Sequence, residues 1–238
     1  MLKKRNNRQI AAFQLAILAL VWGSSFILMK KGLFNEAGEQ VLRGDHLGAL
    51  RMVISGLVML PFVIRSLSKY SWKKRGLLLL VGIVGNGLPS VLFGIAQTQI
   101  NSSIAGILNA TVPLFALMIG VWFFQLKTKA SQWIGVALGF AGVGILVLVN
   151  HTGTVELNAF ALLVLLATLC YGVSVNLIKT YLKDVPSLMI TGGSFSLLVI
   201  PFSIYLGATG FTESVSNPYF PKSLLFIGLL AVIGTSLA

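Results

Sequence analysis

Residues 13–31 of this chain recur in weakened form at 162–180. At a constant offset of 149 positions Trp22 meets Tyr171, Gly23 meets Gly172, Ser25 meets Ser174 and Lys30 meets Lys179. Leu60-Pro61-Phe62 returns as Ile200-Pro201-Phe202, and Leu79-Leu80-Val81-Gly82 returns as Leu225-Phe226-Ile227-Gly228. On that last register Thr235 stands where Pro89 does in the first copy. The offsets drift only by loop length. A duplicated chain folds as related units, so the repeat constrains architecture before any residue is given a role.

The content of each unit decides its solvent. Apolar residues make up 56% of the chain and charged residues 10%, with a mean hydropathy of +0.89, against ~25% charged residues in soluble domains. The apolar runs lie at about 10–29, 47–64, 77–96, 104–124, 132–149, 157–178, 188–206 and from 223 to the end. Each complete run has roughly the 17 to 25 residues that carry a helix across a bilayer. Barrel strands would be about half as long and would alternate. The sequence therefore predicts an all-α polytopic transmembrane bundle of seven complete helices and an eighth cut short.

The net charge of +12 is a topology signal. Lys3, Lys4, Arg5 and Arg8 precede the first run, Arg65, Lys69, Lys73, Lys74 and Arg75 lie between the second and third, Lys127 and Lys129 follow the fourth, and Lys179 and Lys183 follow the sixth. Every second loop is basic, which places the amino terminus in the cytoplasm. Nucleic acid is not an expected partner. A signal peptide is the rival reading of the basic start and first apolar run; the run is too long for one, and its middle repeats inside the chain. Cys170 stands alone within a run, so no disulfide forms within one chain.

Repeat and topology combine. The first unit, 1–150, holds five spans, an odd number, so the second, 151–238, starts on the other side of the membrane and is inserted upside down. Inverted repeats are a construction principle of secondary transporters, with the site near the midplane between the halves. The second unit holds about three helices, and the natural protein is expected to continue for about two and a half more, because paired units match in size.

The strings LALVWGSSFILMKKGL (18–33), SSIAGILNATVPLFALMIGVWFF (102–124) and WIGVALGFAGVGILVLV (133–149) resemble the first, fourth and fifth helices of EamA-type members of the drug/metabolite transporter superfamily. Arg51 with Pro61 resembles the second helix. The resemblance runs through essentially the whole chain. It implies ten helices in two inverted five-helix units, of which about seven to eight are present here. It also implies the carriage of amino acids, sugars, nucleobases, drugs or other metabolites, commonly outward.

Polar side chains inside hydrocarbon face protein or a watery cavity, so they mark candidate pathways. Asn86, Ser90 and Gln97 fall along one face of the third span, either as a cavity wall or as hydrogen-bonding contacts between helices. In the fourth span Pro113 frees the carbonyl of Asn109, which either lines a site or marks a bend beside Thr111. Trp22 and Tyr171 sit near the middle of equivalent spans, away from the interface where aromatics gather; they stack on solute or gate its passage, or else pack between helices. Ser25 and Asn176, about a turn further on, and Thr235 complete the expected solute-binding set. Gly135, Gly139 and Gly142 form a small-residue face that predicts close helix packing. Arg51 lies about one turn inside its span, able to snorkel outward as an anchor or to attract anions at the mouth.

No Asp or Glu lies deep in any span, so the carboxylate relay of a proton-coupled carrier is missing from this portion. His46 and His151 are too few for a metal site, no phosphate-binding loop appears, and no nucleophile, base and orienting group suggest an enzyme. No cofactor is expected. The sequence thus predicts an inner-membrane secondary transporter, an exporter by the resemblance, whose partners are a small-molecule metabolite and the lipid bilayer, with a homodimer left open. The competing class is a non-transporting sensor or assembly protein of the same fold.

Overall fold

The computed structural model describes residues 2–149 and 159–236. They form helices α1 (Leu2–Leu33), α2 (Gly44–Leu67), α3 (Trp72–Gly82), α4 (Leu88–Gln99), α5 (Ser102–Asn109), α6 (Val112–Trp122), α7 (Ala130–Val149), α8 (Ala159–Tyr181), α9 (Ser187–Ala208), α10 (Phe211–Val215) and α11 (Phe220–Ala231). A π turn, Ile83–Gly87, joins α3 to α4 without a break, and a second, Val232–Ser236, extends α11. Among the described residues six helical segments are long and apolar enough to cross a membrane: Ala12–Leu33, Gly44–Leu67, Trp72–Gln99, Ser102–Trp122, Ala159–Tyr181 and Ser187–Ala208. α7 adds a 20-residue apolar helix. The chain is a polytopic helical membrane bundle. The unit boundary expected at 150/151, and His151 with it, lie outside the described residues.

The fourth span is divided. Its helix stops at Asn109 and restarts at Val112, because Pro113 offers no N–H to the carbonyl of Asn109. Thr111 closes the break by donating its hydroxyl to the Leu108 carbonyl at 2.7 Å, and its Oγ1 lies 3.1 Å from Thr168 Oγ1.

Helix pairing follows the duplication. α2 runs antiparallel against α9, its counterpart: Asp45 and His46 meet Tyr205 and Thr209 at one end, Gly56 meets Phe195 midway, and Val63 meets Gly192 near the other. α1 is antiparallel to α11, with Gly32 beside Ile227 and Ser25 beside Gly234. α8 is antiparallel to α4 and the π turn before it, with Ser174 at Gly85 and the Tyr171 ring 6.3 Å from that of Phe93. The first helix of each copy thus lies against the third helix of the other. Each second helix is also tied to the opposite third helix by a serine hydroxyl, Ser55 to the Ala231 carbonyl (3.1 Å) and Ser194 to that of Leu78 (2.9 Å). These directions are those of an inverted pair.

The two π turns correct one register. Ile83–Gly87 and Val232–Ser236 coincide at an offset of 149, not 146, so Thr235 stands opposite Asn86 and not opposite Pro89. Close approach is set by glycines at a few points. A Cβ on Gly44 or Gly48 would come within 2.4 Å of the Gly94 carbonyl oxygen or 2.6 Å of that of Ser90, so α2 and α4 touch backbone to backbone. Among the described residues the close packing expected at Gly135, Gly139 and Gly142 of α7 is not made. Side chains added there would meet nothing within 4 Å, because α7 lies at the edge of the described bundle.

Candidate functional site

The seam between the copies holds the same assembly twice. Ser25 on α1 presses on Gly234 in one π turn, and Ser174 on α8, its equivalent, presses on Gly85 in the other. A Cβ at Gly85 would lie 2.1 Å from the Ser174 Oγ and 2.7 Å from its Cβ, which leaves room for glycine alone, whereas one at Gly234 would meet the Ser25 Oγ at 2.7 Å, an atom that can rotate aside. Each π turn carries a polar residue next to that glycine, Asn86 in one and Thr235 in the other. Widened turns of this kind disturb the regular ladder of backbone hydrogen bonds and recur at functional sites. The seam therefore offers polar side chains and irregular backbone at mid-span depth.

Four of the expected residues spend their polar groups on neighbouring protein. Ser25 donates to the Val21 carbonyl at 2.8 Å and Ser90 to that of Gly48 at 3.1 Å. Asn176 donates from Nδ2 to the carbonyls of Ala116 and Gly172, both at 2.8 Å, tying α8 to α6. Thr235 donates to the Leu230 carbonyl at 3.0 Å and accepts from Arg51. Asn109 is half-buried at the α5–α6 break, and Asn86 is half-buried with no hydrogen-bond partner among the described residues. Trp22 is 55% exposed. Tyr171 is half-buried, its ring tilted against that of Phe93, which itself lies 5.7 Å from Phe26. Gln97 is wholly enclosed, with neither side-chain polar atom partnered among the described residues, while Lys30 donates to its backbone carbonyl at 2.7 Å.

Of the two alternatives open for Arg51, an outward-reaching anchor or an anion-attracting group, the structure removes the first. The side chain does not snorkel outward. Leu47 and Ile227 meet at Gly32, and Ser55 meets Ala231, so α2 and α11 descend together. Arg51 reaches past Ser55 to donate from Nε to Thr235 Oγ1 at 2.7 Å. It lies deep among the helices, within electrostatic range of Tyr171, yet it is only partly covered by protein. Its two Nη groups have no hydrogen bond among the described residues. An arginine at mid-membrane depth costs about 2.5 to 3.5 kcal/mol on insertion scales. The one acidic side chain in the described spans, Asp45, is occupied by Arg43 (2.7 Å) and the Tyr205 hydroxyl (2.8 Å). The detectable signal was the lack of any acid to neutralise it.

The two ends of the bundle carry matching, exposed ion pairs. Lys222, at the start of α11, donates to Glu36 in the α1–α2 loop at 2.5 Å. Lys74, at the start of α3, pairs with Asp184 in the α8–α9 loop at the opposite end of the bundle. Both members shift by 148 positions between the copies. Each lysine holds its partner's carboxyl below the ordinary range, chiefly by hydrogen bonding. Beside the Lys222–Glu36 pair lies a cleft of about 700 Å³ lined by Lys30, Lys31, Phe34 and Tyr219 among others.

Comparison with known proteins fits this arrangement. Residues 9–148 match the EamA-like transporter family. The chain belongs to that family. Its relatives include an uncharacterized inner membrane transporter, YedA, of Escherichia coli (strain K12), 28% identical over 65% of this chain and 48% of its own. The uncharacterized transporter YdfC of Bacillus subtilis (strain 168) is 24% identical over 90% of this chain and 68% of its own. An S-adenosylmethionine uptake transporter of Rickettsia bellii (strain RML369-C) is 23% identical over 92% and 70%. The chain spans about half the length of the first of these relatives.

Proposed function

We propose that the protein is a secondary carrier of small metabolites, with units 1–150 and 151–238 set in the inner membrane and its amino terminus in the cytoplasm. It works by alternating access: the units rock against each other about the seam, and a solute held there is exposed first to one side and then to the other. The observation that carries this reading is the pair of pseudo-equivalent ion pairs, Glu36–Lys222 and Lys74–Asp184, at opposite ends of the bundle. A clasp on each face is what a two-sided gate requires, and an inverted duplication supplies both from one ancestral pair.

The solute is contacted at the seam by Asn86, Tyr171 and Trp22, with Thr235, Ser25, Ser90, Asn109 and Asn176 shaping the surrounding helices. With no acidic side chain deeper than Asp45 in the described spans, either a facilitator or coupling through a group outside this portion fits better than a proton relay on a buried acid. We assign export as the working direction, out of a cell that makes the metabolite. The Rickettsia relative is named for uptake, so direction is measured, not inherited. Cells producing the protein are expected to gain tolerance to, or lose internal stocks of, at least one member of a panel of amino acids, nucleobases and toxic analogues. Unchanged tolerance and unchanged pools across that panel would leave a sensor or assembly role in its place.

A further inference from the structure

We propose that Arg51 docks the carboxylate of the carried solute, so that the substrates are small metabolites bearing a carboxylate group. The inference rests on the carrier reading above. A guanidinium presents five donors in a planar fork, and its two Nη groups match the two oxygens of a carboxylate. Here Nε is already fixed by Thr235 at 2.7 Å, which sets the plane of the fork and leaves the Nη edge without a hydrogen bond among the described residues. Thr235 is held in turn by the Leu230 carbonyl at 3.0 Å, so the π turn of one copy orients an arginine on the second helix of the other. The arrangement is oriented before any ligand arrives, which lowers the cost of binding.

Charge points the same way. Asp45, the one acid in the described spans, is engaged by Arg43 and Tyr205, so nothing among the described residues neutralises Arg51. Buried charges are ordinarily paired, and the missing counter-ion is a property a ligand can supply. Tyr171 stands within electrostatic range of the guanidinium and offers a hydroxyl to the same solute. Lys30, Lys31 and Lys222 line the cleft between α1 and α11 with Glu36 as their acidic neighbour, a positive field that would draw anions toward the seam.

The test uses the full chain in phosphatidylcholine nanodiscs, with S-adenosylmethionine and glutamate as carboxylate probes. Their controls are decarboxylated S-adenosylmethionine and 4-aminobutanoate amide, and a set of neutral sugars and nucleobases completes the panel. At least one carboxylate probe is expected to bind, and its carboxylate-free counterpart to bind about 10- to 100-fold more weakly. Arg51→Gln should erase that difference and Arg51→Lys keep part of it, while Thr235→Val, which frees Nε, reduces it without unfolding the protein. Thermal melting of each variant separates lost docking from lost fold. Equal binding of a probe and its carboxylate-free partner, preference for neutral solutes, or a preference unchanged in Arg51→Lys and Arg51→Gln alike would overturn the assignment while leaving a carrier. Stabilisation by phosphatidylglycerol that Arg51→Gln abolishes, with no response to free carboxylates, would make Arg51 a lipid anchor and overturn it too. If no probe of any class binds, the carrier reading fails and this inference with it.

Discussion

At the residue scale, glycine separates the packed from the open parts of this bundle. Gly48 lies where an added Cβ would meet the Ser90 carbonyl oxygen at 2.6 Å, and a backbone neighbour cannot rotate aside as a side chain can. Gly48→Ala is therefore expected to lower stability by about 1 to 3 kcal/mol, read as thermal unfolding in detergent. Gly139→Ala, with nothing within 4 Å, should leave the melt unchanged. Tyr171 makes a second contrast. Its ring packs near Phe93 but is only half-buried, so Tyr171→Ala should damage flux more than the amount of protein in the membrane. Equal loss of both would reassign it to packing.

At the element scale, the π turns are the distinctive parts. A π turn is one residue inserted into an α-helix, and deletion of that residue restores the regular ladder. Deleting Asn86 should leave α3 and α4 joined and the protein folded, because the flanking contacts of Ser194 with Leu78 and of Gly48 with Ser90 lie on regular helix. Flux should fall at least tenfold, since the half-buried amide and the widened backbone vanish together. Retained flux in a folded deletion variant would make the turn a packing device for Ser174 alone.

At the scale of the whole molecule, the two clasps are the parts that move if the units rock. Lys222→Glu sets two carboxylates against each other on one face, and Lys74→Glu does so on the other. The first is expected to raise labelling of a cysteine placed at Tyr219 from outside the cell, the second that of one placed at Tyr70 from the cytoplasmic side. The double exchange of Glu36→Lys with Lys222→Glu should restore the original labelling. Labelling that rises on both faces in either variant would show general loosening. The pH dependence has a definite sign. Glu36 and Asp184 have carboxyls lowered by their lysines, so each clasp is in place at neutral pH and is lost as the pH falls below the ordinary carboxylate value and through the lowered one. Labelling of both faces should rise on acidification over that window.

Much of this was legible in one dimension. Apolar runs of bilayer length, basic alternate loops and the recurrence of 13–31 at 162–180 follow from constraints that act residue by residue: every span must hide its backbone in helix and its surface in lipid. Those rules determined the class of fold and the inverted order of its helices. They could not say where a side chain ends up, because composition treats Ser25, Ser90 and Asn109 alike as polar groups in apolar runs. Only the packed structure decided that Ser25, Ser90 and Asn176 bond to neighbouring backbone. It also showed that α7 leaves its glycines open among the described residues and that the copies register at 149 through their π turns. Arg51 gives the physical reason: its flexible side chain is long enough either to snorkel to water or to reach inward, and the choice rests on Thr235, 184 positions away in sequence and 2.7 Å away in space.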